Sequence, residues 1–441
     1  MAFTSSTGEN VLLYGFKGDG VTDNSSVLAA MFSMLPTGSE IHFPAGIFFF
    51  NSSTAVSNKQ FFITGCGMSS IIKTASNISI INISSTAAAA SKWKVDNLNF
   101  QGNDTGAGQY ALNFSSKSGS FVVNNCWFSD FGAGAISVGN TEDSTRLGGL
   151  VSGCKFFSNN IGVDIVTRGE YIQIIGSDFF SNTKGIQTAG GNTLIDGCNV
   201  NYNVTGIEFI TGANNGHSIV SNCNINHNTT YSLNLHDTTL GISINDCHIY
   251  QGTLRIKDTT GVVFSGGVID ATAYTFDTNS GLRFNGVSFD TGYANTITLI
   301  GTAPIYFNCS KLNGGYAYDA DNFGATIESI ITTTNASVTT LQTIPANTSS
   351  TITVSGYVTA RRTGGTAGTT EDGATYRVEF SVKNVSGTAT LIGSAITVIG
   401  ESQAGWDVTL TGSTSNILIQ VTGAVDNNII WKWTTTQYVK I

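Results

Sequence analysis

Two carboxylates stand at equivalent places in a repeated triplet, and no other residues in this sequence are as well suited to chemistry. Val163-Asp164-Ile165, Ile186-Gln187-Thr188, Ile207-Glu208-Phe209, Leu233-Asn234-Leu235 and Leu254-Arg255-Ile256 each set a middle residue between inward-type flanks. Leu112-Asn113-Phe114 and Ile136-Ser137-Val138 precede them. If every triplet is a strand on a successive rung, the middle residues form one outward column, with rungs ~4.8 Å apart. Asp164 and Glu208 then lie two rungs apart, ~9–10 Å between backbones. That is close to the ~6.5–9.5 Å between carboxyls when one protonates a glycosidic oxygen and the other activates water. Gln187, between them, can hydrogen-bond a hydroxyl without adding like charge. Asn234 continues the polar column, and Arg255 can hold an acidic group bidentately. Three uses of the column stay open: an acid–base pair, binding without cleavage, and a solvated face where acidic residues happen to align. Lys257, with His217, His236 and His248, supplies bases of the kind that lyase chemistry places beside an acidic sugar.

The elements that must position these residues form a repeat. Asn125-Cys126-Trp127-Phe128, Gly153-Cys154-Lys155-Phe156, Gly176-Ser177-Asp178-Phe179, Gly197-Cys198-Asn199-Val200, Asn222-Cys223-Asn224-Ile225 and Asp246-Cys247-His248-Ile249 are six copies of one pattern. Their anchors are spaced 28, 23, 21, 25 and 24 residues apart. Alternation of inward and outward residues at this period, without helical periodicity, predicts a parallel β-solenoid. Asn159, Asn182, Asn203 and Asn228 each follow their anchor by five residues, and Gly252 holds that place in the next coil. Asn and Gly suit the left-handed conformation of a sharp corner, and stacked Asn side chains can hydrogen-bond between rungs.

Composition agrees. Charged residues are 11% of 441, against a usual ~25%, while Gly numbers 51 and Pro 4. Gly, Ser, Thr and Asn take the place of charge, which favours strands and turns. The net charge of −9 without basic clusters argues against nucleic acid as a partner. No apolar run reaches the ~18–20 residues of a membrane span, so no membrane insertion is expected. Met1 to Asn10 is polar and has no apolar core of a signal peptide. The seven cysteines have no zinc spacing, so we expect buried free thiols and no metal or other cofactor.

At the N-terminal end, Asp23 or Asn24 can cap a helix over Ser25 to Leu35, with Val27, Leu28, Met31 and Leu35 on one face. Tyr14-Gly15-Phe16-Lys17-Gly18-Asp19-Gly20-Val21-Thr22-Asp23, this helix and Ile41-His42-Phe43-Pro44-Ala45-Gly46 resemble the opening of the pectate-lyase-like right-handed β-helix superfamily. This version is similar to the one in bacteriophage tailspikes and capsule depolymerases. Arg255-Ile256-Lys257, with Asn215-Gly216-His217 upstream, resembles an element of polygalacturonase-type hydrolases, but the adjacent Asp pair and complete His motif of those enzymes are absent.

The expected fold is therefore all-β: a right-handed parallel β-helix with a short N-terminal capping helix and a C-terminal β-sandwich-like module. The expected divisions are 1–60 for the cap, 61–324 for the coils and 325–441 for the module, which includes Tyr376 to Val382 as a strand. Turns are expected at Gly364-Gly365, Asn384 to Gly387 and Gly412 to Asn416. Trp406, Trp431 and Trp433 belong either to its core, to a subunit contact or to a sugar site. The resemblance implies a homotrimeric virion tail protein, carried with other tail proteins. It would act at the host surface on a bacterial polysaccharide (capsule or O-antigen), as a depolymerase more in the manner of an endoglycosidase than a lyase. A non-enzymatic receptor-binding fibre and a free polysaccharide lyase or hydrolase are the alternatives. Insertions at Gln101 to Gln109, Gly139 to Gly149 and Gly212 to Gly216 are expected to wall a groove beside the column.

Overall fold

The computed structural model of the chain describes residues 8–84, 92–103, 108–115, 120–139, 148–166, 169–212, 215–277, 279, 281–289, 296–300, 305–307, 309–311, 328–346 and 350–440. These fall into two compact units, one within 1–282 and 289–302 and the other within 283–288 and 303–441. The expected junction at 324/325 lies outside the described residues.

The first unit is a parallel β-solenoid. Among the described residues the parallel strands of the chain stack into three sheets, of 13, 13 and 11 strands, each strand pairing with its equivalent one coil away. We call them sheets 1, 2 and 3 in the order in which a coil visits them. One coil runs through Gly149–Ser152, Lys155–Phe157 and Ile161–Ile165, and the next through Ile172–Ile175, Asp178–Phe180 and Lys184–Thr188. Like residues stack because the pairing is in register. Phe100, Phe128, Phe156 and Phe179 form one internal pile with ring centroids 5.0, 5.1 and 4.6 Å apart. Such contacts contribute ~0.5–1.5 kcal/mol each beyond area burial.

The cysteine column lies inside the turn from sheet 1 to sheet 2. Cys126, Cys154, Cys198, Cys223 and Cys247 are buried and free, and Ser177 occupies the same place in its coil. Each thiol donates to a carbonyl two residues back, as Cys154 does to Ser152 at 3.3 Å. Cys66 departs from expectation and is exposed. Native protein should therefore show no intramolecular disulfide, with Cys66 labelling first and the five buried thiols only on denaturation. Burial pushes the Cys126 thiol well above its ordinary range, which slows its reaction further. Fast labelling of all five by a thiol reagent, before any loss of structure, would contradict this packing.

The asparagine column is present, but for a different reason from the one expected. The left-handed residues are the preceding ones, Ser158, Ser181, Tyr202 and His227, with φ of 54, 56, 57 and 51°. That places the asparagines themselves inside, where each backbone N–H and side-chain amide donates to the next Oδ1. Asn159 donates both to Asn182 at 2.9 and 3.0 Å, Asn182 to Asn203 at 2.9 and 2.9 Å, and Asn203 to Asn228 at 3.0 and 3.0 Å.

The capping helix spans Ser25–Met34. The Asp23 carboxylate accepts the Ser25 N–H at 2.9 Å, while Asn24 turns away to accept from Lys17 N–H at 2.8 Å. Leu28, Met31 and Phe32 are its buried apolar residues; Val27 is only half-buried, and Phe32 takes the place expected for it. Lys59 Nζ closes the far end, donating to the carbonyls of Phe32, Ser33 and Leu35.

In the second unit, antiparallel sheets of five and three strands form a sandwich-like module. Trp406, Trp431 and Trp433 are all within its core, which removes them as a sugar platform. Trp431 Nε1 donates to Thr333 Oγ1 at 2.8 Å. The expected strand lies within Gly373–Val385, and the turn after it carries Ser386 and Gly387 at φ 57 and 89°.

Candidate functional site

Sheet 3 carries the candidate residues. Its central strands share a four-residue opening: Ile161-Gly162-Val163-Asp164, Lys184-Gly185-Ile186-Gln187 and Thr205-Gly206-Ile207-Glu208. A Cβ on Gly185 would lie 2.9 Å from the inward Val200 Cγ1, so both Gly185 and Ile186 face the interior. Two inward residues in succession leave Lys184 and Gln187 on the same outer side. Parallel register then lines up Asn113, Ser137, Asp164, Gln187, Glu208, Asn234 and Arg255 as one column.

This column is not a solvated face. Asp164 and Glu208 are only 6% and 7% exposed. Buried carboxylates must find partners, and these two find them in one connected network. Tyr110 Oη donates to Asp164 Oδ2 at 3.3 Å and Gln187 Nε2 to Asp164 Oδ1 at 3.2 Å. The Lys184 ammonium meets Gln187 Oε1 and forms an ion pair with Glu208. Asn234 Nδ2 donates to Glu208 Oε1 at 2.7 Å, and Arg255 Nη1 donates to Asn234 Oδ1 at 3.3 Å. The Arg255 guanidinium also lies 5.7 Å from the centre of the Tyr231 ring. His236 Nε2 stands 3.7 Å from Glu208 Oε1, with its Nδ1 2.8 Å from Asp237 Oδ2.

The network drives the two carboxyls apart in acidity. Burial raises Asp164 above the usual carboxylate range and outweighs the hydrogen bonds from Gln187 and Tyr110 and the Lys184 charge. Burial acts on Glu208 in the same direction. There, contacts from His236 and Lys184, the Lys184 charge and the Asn234 hydrogen bond together overcome it and hold Glu208 at about 2. His236 is raised, first by Glu208 and then by Asp237. Tyr110 is raised to about 12, first by burial and then by Asp164. Two carboxyls on one column, two rungs apart, are thus pushed in opposite directions, Asp164 up and Glu208 down, and environments that separate paired carboxyls in this way are what acid–base chemistry needs.

Five of the six expected site residues belong to this network: Asp164, Gln187, Glu208, Asn234 and Arg255. Lys257 does not. It lies next to His236 in register but pairs with Asp258 at 3.7 Å and Asp277 at 3.8 Å. His217 is exposed at a φ of 53° directly before the sheet 1 strand Ser218–Ser221, and His248 sits on sheet 2, so neither is a member of the sheet 3 column. Tyr110 and Lys184 were not legible as site residues from the triplets. The signal for them is the position three residues before each column member, separated by the inward pair. Residues 104–107, 140–147 and 213–214 of the expected groove walls lie outside the described residues. Among the described residues no cluster of three or more His, Cys, Asp or Glu side chains offers a metal site.

No family model matches the chain. No curated protein does either. Solved structures similar to it include the tailspike protein of Acinetobacter phage vB_ApiP_P1, at 14% identity and a TM-score of 0.43, covering 100% of this chain and 89% of that one. A tailspike protein of Acinetobacter baumannii bacteriophage Fri1, described as a capsular polysaccharide depolymerase, shows 9% identity and a TM-score of 0.40 over 98% and 86% of the two chains. The mannuronan C-5 epimerase A-module of Azotobacter vinelandii shows 14% identity and a TM-score of 0.47 over 69% and 99%.

Proposed function

We propose that the protein is a tailspike or tail-fibre subunit of a phage virion that binds a bacterial surface polysaccharide along sheet 3 and hydrolyses its glycosidic bonds. The observation that carries this reading is the Asp164–Glu208 pair, with one carboxyl raised and the other held at about 2 on adjoining parts of one hydrogen-bonded column. In this mechanism Asp164 protonates the leaving oxygen, and Glu208 accepts a proton from the attacking water. Gln187, Asn234 and Arg255 orient the sugar, and Lys184 with His236 keeps Glu208 ionised. Rung spacing puts the two backbones ~9–10 Å apart, which suits inversion at the anomeric carbon. The decisive experiment incubates purified protein with capsule or O-antigen of candidate hosts. Release of oligosaccharides with new reducing ends is expected, and unsaturated ends absorbing in the ultraviolet would assign a lyase instead.

The near-complete burial of both carboxylates favours a second reading, in which the column is a structural polar spine and the protein is a receptor-binding fibre without turnover. Retention of polysaccharide with no released fragment, across hosts that the protein binds, would select it.

The same proposal includes a homotrimer. Its support is the edge strand Thr388–Glu401 of the five-stranded sheet, which has no charged residue before Glu401 and exposes Ile392, Ile396, Val398 and Ile399. An uncharged, exposed apolar edge is a ready template for another copy. Light scattering should give three times the chain mass of 46.3 kDa, and removal of 325–441 should weaken assembly. A single-chain mass at micromolar concentration would refute it.

A further inference from the structure

Sheet 2 carries a groove that the sheet 3 chemistry does not use. Its strands alternate, so that each contributes two outward residues on either side of an inward one. The first outward column is Trp127, Lys155, Asp178 and Asn199, and the second includes Phe157, Phe180 and Asn201. Between them the backbone forms the floor, over the buried rings of Phe156 and Phe179. The resulting concavity is about 520 Å³, within the range of ligand sites.

Its two walls differ in chemistry. The first is polar beyond Trp127: the Lys155 ammonium lies 5.0 Å from the Trp127 ring centre and 3.5 Å from Asp178, and Asn199 Nδ2 donates to Asp178 Oδ1 at 2.9 Å. The second is apolar. Phe157 and Phe180 stack 5.5 Å apart, each 44% exposed, and Tyr202 extends the row from Phe180 at 5.7 Å. Large exposed aromatic patches mark binding surfaces. A protein partner would favour a wall stripped of charge, whereas Lys155 and Asp178 stand open here. A nucleic acid would need a row of cations, and only one is present.

We infer that this groove is a second carbohydrate-binding site, on a different sheet from the Asp164–Glu208 column, which takes about three consecutive pyranose units across its four rungs at ~4.8 Å per rung. The C–H faces of the sugars pack on the Phe157–Phe180 wall, and their hydroxyls hydrogen-bond to Asp178, Asn199, Asn201 and Lys155. The ligand class rests on the polysaccharide reading above, but the site acts by holding the chain and needs no cleavage.

Trp127 provides a selective test. It is 39% exposed, whereas Trp93, Trp406, Trp431 and Trp433 are at most 2% exposed, so acrylamide quenching of tryptophan fluorescence reports mainly on this groove. The probes are purified bacterial capsular polysaccharides and O-antigens, screened for retention by the full-length protein. The retained polysaccharide should shield Trp127 from acrylamide, in wild type and in Asp164→Asn and Glu208→Gln alike. Trp127→Phe should remove the quenchable signal. Phe157→Ser with Phe180→Ser, melting as wild type does, should bind about tenfold more weakly. Binding or cleavage without any change in Trp127 quenching would overturn this site and leave the proposed function standing. Failure to retain any polysaccharide would overturn both. Shielding of Trp127 that grows with protein concentration in the absence of polysaccharide would assign the groove to a second copy and overturn the carbohydrate reading.

Discussion

Asp164→Asn and Glu208→Gln are each expected to lower polysaccharide turnover by roughly 10² or more while leaving binding nearly intact. The carboxamides keep shape but put an N–H donor where one carboxylate oxygen accepted, and they cannot carry a proton between the sugar oxygen and water. The pH profile should separate the two roles. Glu208 is depressed to about 2, so the acid limb should appear only as pH falls toward that value. Asp164 is raised, so activity should fall as pH climbs through its folded value, and Asp164→Asn should lack that limb. The stability sign for Glu208 follows from the same depression. Its contribution is fully present above its ordinary value of 4.5 and is lost as pH falls toward about 2. Glu208→Gln should therefore unfold more easily than wild type at pH 7, by about 3 kcal/mol at most, with the gap closing in acid. Wild-type cleavage rates in both variants would remove the pair from the mechanism. Loss of stability with no turnover to lose would make it a structural spine.

Asn182→Leu is expected to destabilise the solenoid by about 3 kcal/mol or more, because several buried hydrogen bonds lose a partner together. Asn182 Nδ2 donates to Phe156 O at 3.1 Å and to Asn203 Oδ1 at 2.9 Å, and its Oδ1 accepts from both the backbone and the side chain of Asn159. A leucine fills the space but takes the acceptor from the Asn159 N–H and from one of the two Asn159 amide hydrogens (the other donates to Phe128 O), and takes a donor from the Phe156 carbonyl. Asn203→Leu should behave alike, since it repeats the arrangement one coil on. Ser181→Gly, at the left-handed residue itself, should be nearly neutral or mildly stabilising, because glycine meets no penalty at φ 56°. Thermal unfolding of the three variants separates a ladder of buried amides from a strained corner. Unchanged melting of both leucine variants would contradict the ladder.

The amino-acid sequence alone determined the solenoid and the register of sheet 3. A parallel stack repeats one environment per coil, so Cys, Asn and the apolar flanks recur wherever the chain passes the same corner or wall. That is why Asp164, Gln187, Glu208, Asn234 and Arg255 align in the sequence itself, and why the helix at Ser25–Met34 and the strand within Gly373–Val385 are legible there. Only the tertiary structure decided burial and the contacts between columns. The triplets mark Asp164 and Glu208 as outward, but neighbouring side chains from the same sheet enclose them. Lys184 and Tyr110 reach the pair because two inward residues in succession return the start of each strand to the outer face. The asparagines moved from corner to interior for a related reason: a left-handed φ at Ser181 or Tyr202 turns the following side chain inward. Lys257 left the site because Asp258 and Asp277, one a chain neighbour and the other on the next rung, lie within ion-pair distance of it. Periodicity fixes which residues share a wall. How deep a wall lies, and which charge reaches which carboxylate, depends on side chains meeting across columns, and a one-dimensional repeat does not record that.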